Sequence, residues 1–306
     1  MTNTMKYLYL FVLSFALLSC KNEQKSSEKL NVVTTTTMIT DLVKNIGGDH
    51  INLQGLMGSG VDPHLYKASE GDVSKLANAE IIFYNGLHLE GKLVEVFEKM
   101  KTRNINTIAI SDALDKEKLI GSEYFASNYD PHIWFNIDYW IQAGEYVTKI
   151  LQEAIPEKEN IFSENWLNYK NSLLALKEDI SKIIISLPKE NRILVTAHDA
   201  FNYFGESYDF QVVGLQGLST ATEAGVRDVQ ELATFIIDND IKAIFVESSV
   251  PKRTIEALQA AVKSKNHNVE IGGTLYSDAL GDAGTVEGTY IGMYLYNVNT
   301  IVNALK

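Results

Sequence analysis

The chain has 306 residues, of which 45% are hydrophobic and 22% charged, with five prolines. That balance belongs to a folded globular protein and excludes a disordered, collagenous or coiled-coil chain; this length buries a large core and usually divides it between two domains. Acidic residues outnumber basic ones 39 to 27, and a net charge of −12 without any basic stripe excludes nucleic acid as a partner.

The first twenty residues read as a targeting segment. Lys6 gives a positive start, and Tyr7 to Leu18 is an apolar run too short to span a bilayer but suited to a secretory signal. The run ends in Leu17-Leu18-Ser19-Cys20, which resembles a bacterial lipobox, where the cysteine is acylated and becomes the new N-terminus. Cys20 is the only cysteine, so no internal disulfide can form. Lys21 to Lys29 is polar and reads as a flexible tether. The expectation is a signal peptide over 1–19, a lipidated Cys20 with its tether over 20–29, and an exported protein held to a bacterial membrane by its acyl chains.

From Leu30 onward, β-branched runs alternate with helical patterns. Val32-Val33 leads through threonines into a helical pattern over Met38 to Ile46, and Ile51 to Leu56 reads as a strand feeding the loop Gly58 to His64. A helix is expected over Ser69 to Asn78, a strand over Ile81 to Tyr84, an amphipathic helix over Leu89 to Met100 and a strand over Ile105 to Ile110. This alternation predicts an α/β lobe with a mostly parallel sheet. Two long helical patterns follow, Asp138 to Ala154 and Ser163 to Leu187, with Pro156 between them and Pro188 closing the second. In the second, Trp166, Tyr169, Leu173, Leu176, Ile180 and Ile184 recur at intervals of three and four, and a helix of about 25 residues is roughly 37 Å long, enough to cross between lobes. It reads equally well as a long surface helix.

After Pro188 the alternation returns. Ile193 to Ala197, Phe210 to Leu215, Ala243 to Glu247 and Val269 to Gly272 read as strands, with helices over Val226 to Asp238, Lys252 to Ser264 and Thr289 to Leu305. The fold class is therefore α/β, with two lobes, each a mostly parallel sheet flanked by helices, joined by one long helix. The divisions fall at 30–160, 161–188 and 189–306.

The chain has no phosphate loop, no GxGxxG, no GxSxG elbow, no HExxH and no CxxC. Glycines 58, 60, 272, 273, 281 and 284 read as turn residues. The six histidines are more informative, because two of them share a tripeptide: Asp62-Pro63-His64 and Asp130-Pro131-His132. Ala197-His198-Asp199 directly follows an apolar strand. His64 and His198 thus lie at strand ends, where open α/β sheets gather ligand-binding loops. His132 sits in a loop ahead of a helix, and Asp278 follows the strand-like Val269 to Leu275. Three imidazoles and one carboxylate from these positions would suit a borderline cation such as zinc. Each histidine alone also reads as a turn residue. His50 and His267 read as exposed turns, and His88 as a helix-start residue or a support behind the ligands.

Several longer segments carry a resemblance, in order: Gly60-Val61-Asp62-Pro63-His64-Leu65-Tyr66, Asn85-Gly86-Leu87-His88-Leu89-Glu90, Asp130-Pro131-His132-Ile133-Trp134, Val195 to Phe201 and Tyr276-Ser277-Asp278. Gly214 to Ser219 and Phe245-Val246-Glu247-Ser248-Ser249 add to them. Together they are similar to the zinc/manganese class (cluster A-I) of ABC-transporter solute-binding lipoproteins, over about Leu30 to Lys306. The resemblance implies two α/β lobes joined by a rigid helix, with metal ligands at His64 and His132 from one lobe and His198 and Asp278 from the other. Glu247 and His88 are expected behind them. It implies Zn2+ or Mn2+ as bound cargo, an ABC permease and its ATPase as partners on separate chains, and a monomer.

The class often carries Glu at the position of His198 where it favours manganese, and a His-rich loop before the second Asp-Pro-His where it is dedicated to zinc. Here Asp112 to Tyr129 has acids but no histidine. Nitrogen-rich ligation favours zinc, with manganese left open. The rival readings are an exported zinc hydrolase using Glu247 or Asp278 on a bound water, and a surface adhesin.

Overall fold

The computed structural model describes residues 29–306 except Tyr124. The expected signal peptide, Cys20 and the tether up to Glu28 lie outside the described residues. The first lobe alternates β1 (Leu30–Thr34), α1 (Thr37–Gly47), β2 (Ile51–Gly55), α2 (Glu70–Ala77), β3 (Ile81–Tyr84), α3 (Val94–Thr102) and β4 (Asn106–Ala109). Its strands are all parallel, in the order β2-β1-β3-β4. Strands covered by helices on both faces become apolar throughout, as the adjacent buried Val32 and Val33 of β1 show. The order reverses between β1 and β3, so the loops beyond their carboxyl ends open a crevice.

Two helices, α4 (Ile137–Ala154) and α5 (Glu159–Ile185), then run against each other. The break between them falls at Pro156, which begins a short 3₁₀ turn and cannot donate into a preceding helix. The 27 residues of α5 span about 40 Å. Its buried stripe is Phe162, Trp166, Tyr169, Leu173, Leu176, Ile180 and Ile184, as the spacing predicts. Close approach to α4 depends on Gly144, where a Cβ would stand 2.3 Å from the ring of Trp166.

The second lobe comprises β5 (Ile193–His198), α6 (Asn202–Tyr208), β6 (Gln211–Gln216), α7 (Val226–Asp238), β7 (Ala243–Glu247), α8 (Arg253–Ser264), β8 (Glu270–Leu275) and α9 (Tyr290–Leu305). β5 pairs with β6 and β7 with β8, both parallel, and β5 packs beside β7. These are two two-stranded ladders rather than one hydrogen-bonded sheet; side by side they run β6-β5-β7-β8, the spatial order of the first lobe, with a second crevice between β5 and β7.

Three packing clusters hold this arrangement. One face of each sheet has a core of its own, around Val33, Leu76, Ile82 and Phe97 in the first lobe and Val195, Leu232, Ile236, Ile244 and Leu258 in the second. The third cluster is shared: it runs from Val32 and Leu42 through Trp134, Trp140 and the α5 stripe to Phe245, Tyr294 and Leu305.

Some local expectations need correction. Gly272 and Gly273 are not turn residues but lie inside β8. A Cβ on Gly272 would stand 2.7 Å from Ala304 Cβ and one on Gly273 2.6 Å from Thr300, so these glycines admit α9 against the sheet. The helix expected from Leu89 begins only at Val94, because Leu87 and His88 adopt positive φ and a 3₁₀ turn intervenes. The long helix begins one turn earlier than Ser163, and α6 carries too short a periodicity to be foreseen.

Candidate metal centre

The repeated Asp-Pro-His tripeptide builds the same turn twice. Proline has no N–H, so the aspartate carboxylate accepts from the residue beyond it: Asp62 Oδ1 accepts the His64 backbone N–H at 2.8 Å, and Asp130 Oδ1 that of His132 at 2.9 Å. The two aspartates then diverge. Asp130 Oδ1 also lies 2.7 Å from His132 Nδ1, which fixes the ring and turns Nε2 inward. Asp62 instead accepts from Thr220 Oγ1 across the cleft at 2.5 Å.

His198 is the last residue of β5 and Glu247 the last of β7, neighbours at the second crevice. Glu247 Oε1 accepts the His198 backbone N–H at 2.9 Å, and Oε2 lies 2.5 Å from Nδ1. Here too a carboxylate behind the ring directs Nε2 outward, the arrangement that orients metal-binding imidazoles. Asp278 follows β8, and the Ser277 carbonyl beside it accepts from Trp134 Nε1 at 2.9 Å.

These loops bring His64, His132, His198 and Asp278 together, one donor atom from each lying within 4.8 Å of all the others. All four are buried, at 4%, 0%, 0% and 1% exposure. His64 Nε2 is 3.3 Å from His132 Nε2, His132 Nε2 is 3.6 Å from Asp278 Oδ1, and His198 Nε2 is 3.2 Å from Asp278 Oδ2. A tetrahedral ion with bonds of about 2.0 Å places its ligands about 3.3 Å apart. Among the described residues Asp278 Oδ1 is buried without a hydrogen-bond partner, a state that calls for a missing one.

The electrostatics differ among the four side chains. Burial pushes the His64 imidazole down to about 3, so it is neutral, the form that binds metal. Burial would also lower His198, but the carboxylates of Glu247 and Asp278 outweigh it and raise it well above the ordinary value. Burial acts against ionised Asp278, yet His198, His132 and His64 hold its carboxyl below the usual range.

The other histidines stand apart. His88, expected near the ligands, is exposed, and the ring of Phe125 lies between it and His64, with centroids 6.2 and 6.4 Å away. The turn that carries it aims its neighbours inward instead: Glu90 accepts from Asn85 N, Gly86 N and Thr35 Oγ1 at the first crevice, at 2.8, 3.3 and 2.7 Å. Asn85 Nδ2 donates to Pro131 O, beside His132, at 2.9 Å. His50 and His267 are half-buried, and His267 lies 3.8 Å from Asp240. Sequence reasoning passed over Asn85, Asp130, Trp134 and Thr220 as supports. The duplicated tripeptide signalled Asp130, and Asn85 and Trp134 lie in segments that carry the resemblance; Thr220 gave no sign.

Residues 32–304 match the profile of a family described as zinc-uptake complex component A, periplasmic. The chain is 46% identical over 296 residues to the manganese-binding lipoprotein MntA of Bacillus subtilis, covering 96% of each. It is 48% identical over 274 residues to the zinc-binding protein TroA of Treponema pallidum, covering 90% of this chain and 88% of that one. A solved structure of the periplasmic zinc-binding protein TroA superposes with a TM-score of 0.88, covering 90% of this chain and 99% of that one.

Proposed function

Because the chain belongs to the zinc-uptake component A family, whose members are metal-binding transport proteins, we propose that it captures a divalent transition metal at His64, His132, His198 and Asp278 and hands it to an ABC permease. The observation that carries this reading is the convergence of three imidazoles and a carboxylate from four separate segments in one buried shell. Capture is ligation: the side chains displace water from the ion and enclose it. Four protein ligands leave no open position for a reactive water, which separates carriage from hydrolysis.

Zinc is the favoured cargo, since three nitrogens suit it and manganese prefers oxygen. MntA is named for manganese and TroA for zinc, so the choice is tested directly. Metal-stripped protein offered zinc and manganese together is expected to take up one zinc per chain, and His64→Ala and Asp278→Ala to abolish that uptake. Preferential manganese would keep the receptor and reverse the cargo; no stoichiometric binding of either would overturn the reading.

The transport family implies a permease and an ATPase on separate chains. Anchoring through an acylated Cys20, an extracytoplasmic location and a monomeric state belong to the same proposal, supported by relatives named as lipoproteins. Among the described residues no helix is long and apolar enough to cross a membrane.

A further inference from the structure

We propose that Thr220 is a positioning residue which, by hydrogen-bonding Asp62 across the cleft, latches the His64 segment closed, so that His64 engages the metal last and leaves first. This rests on the reading of the four side chains as a metal site.

The four ligands are not held equally. His132, although it precedes the long helix, sits on a segment fastened largely to the second lobe. Asn202 Nδ2 donates to Asp130 Oδ2 at 3.0 Å and Tyr203 Oη to Asp130 O at 3.0 Å. Trp134 Nε1 donates to Ser277 O at 2.9 Å, while Tyr290 and Tyr294 hydroxyls donate to the carbonyls of Trp134 and Phe135 at 2.6 and 2.7 Å. His198 is clamped by Glu247 at both its backbone and its ring. Beside Asp278, Tyr276 exchanges two hydrogen bonds with the buried Asn297. These three ligands form one braced half-site.

His64 rides on a connection without regular structure, between β2 and α2. Its ring has no carboxylate behind it, and among the described residues Nδ1 has no hydrogen-bond partner. The segment 58–65 makes one hydrogen bond to the second lobe among the described residues, that from Thr220 to Asp62. Gly60, at φ +70°, passes close to the Ser248 carbonyl without bonding to it. Asp62 therefore does two things at once: one oxygen shapes the turn that presents His64, and the other ties that turn shut. The latch is reachable from outside, for Asp62 and Thr220 line a cavity of about 310 Å³ together with half-exposed Leu65.

The decisive experiment loads the protein with zinc and follows release into excess chelator by stopped flow. Thr220→Val removes the hydroxyl and keeps the shape, and Thr220→Ser restores the donor. Loss of a hydrogen bond to a charged acceptor is expected to speed release about tenfold in Thr220→Val with the association rate unchanged, and Thr220→Ser is expected to restore both the release rate and any fall in the melting temperature of the metal-free protein. Asp62→Asn keeps an oxygen for the His64 N–H but weakens the acceptor for Thr220, and is expected to speed release by a smaller factor; it serves if Thr220→Val does not fold. Stoichiometric zinc with an unaltered release rate would overturn the latch and leave the receptor standing. Faster release matched by a lower melting temperature and no rescue by serine would reduce Thr220 to packing. A wild-type protein that binds no metal would overturn the receptor reading itself.

Discussion

Glu247 and His198 meet twice, side chain to backbone N–H at 2.9 Å and side chain to ring Nδ1 at 2.5 Å. One carboxylate thus sets both where the ligand sits and which nitrogen it offers. Glu247→Gln retains an oxygen for the backbone but loses the charge behind the ring, and metal affinity is expected to fall by about tenfold to a hundredfold. Chelator competition on the folded variant checks it; unchanged affinity would mean that the ring needs no such support.

The same pairing sets the acid response. The raised His198 holds a proton at neutral pH in the metal-free site, and the ion must displace it. His64 is neutral down to about 3 and Asp278 is already ionised, so neither adds a proton over the working range. Affinity is therefore expected to fall as pH drops from about 7.5 to about 5.5, because the ion has to displace the proton that His198 holds. Isothermal titration in buffers of different ionisation enthalpy would count that proton directly, and a flat profile would contradict it.

Trp134 joins two ligand segments through a single N–H. Trp134→Phe keeps most of the ring but leaves the Ser277 carbonyl without its donor, at a cost of about 1 to 3 kcal/mol. Both the melting temperature and the metal affinity are expected to drop. A loss of stability alone, with affinity intact, would show that Asp278 does not depend on this tie.

Asp72 offers a prediction away from the metal. Burial would raise its carboxyl, but hydrogen bonds from Ser69 and Tyr66 bring it down to about 2. A depressed carboxylate contributes stability above its unfolded value of about 3.8, and that contribution disappears as pH falls towards about 2. After solvent screening it amounts to about 1 kcal/mol. Asp72→Asn is expected to be less stable than wild type in urea at pH about 7, with the difference closing near pH about 2.

The sequence made His64, His132 and His198 legible because chemistry and position coincide in them: strand ends and a duplicated tripeptide are both local features. The long helix was legible for a similar reason, since the stripe from Trp166 to Ile184 repeats within one element. Other features depend on distant partners. Gly272 and Gly273 resemble turn residues until Ala304 and Thr300 of α9 are placed against them. His88 resembles a support behind the ligands until the positive φ at Leu87 and His88 turns it outward and sends Glu90 inward. Thr220 carries no local mark at all, because its partner lies 158 residues away in the chain.

The grip of Tyr290 and Tyr294 on the carbonyls of Trp134 and Phe135 also bears on the order in which the molecule is made. A chain emerging from its N-terminus completes the first sheet early, yet of the three hydroxyls that hold the segment carrying His132, only that of Tyr203 is present before α9, the last helix, has arrived. The proposed metal site is then completed only with the last helix, and a polypeptide stopped before Tyr290 would carry all four candidate ligands in its sequence without two of the hydrogen bonds that hold the segment of His132.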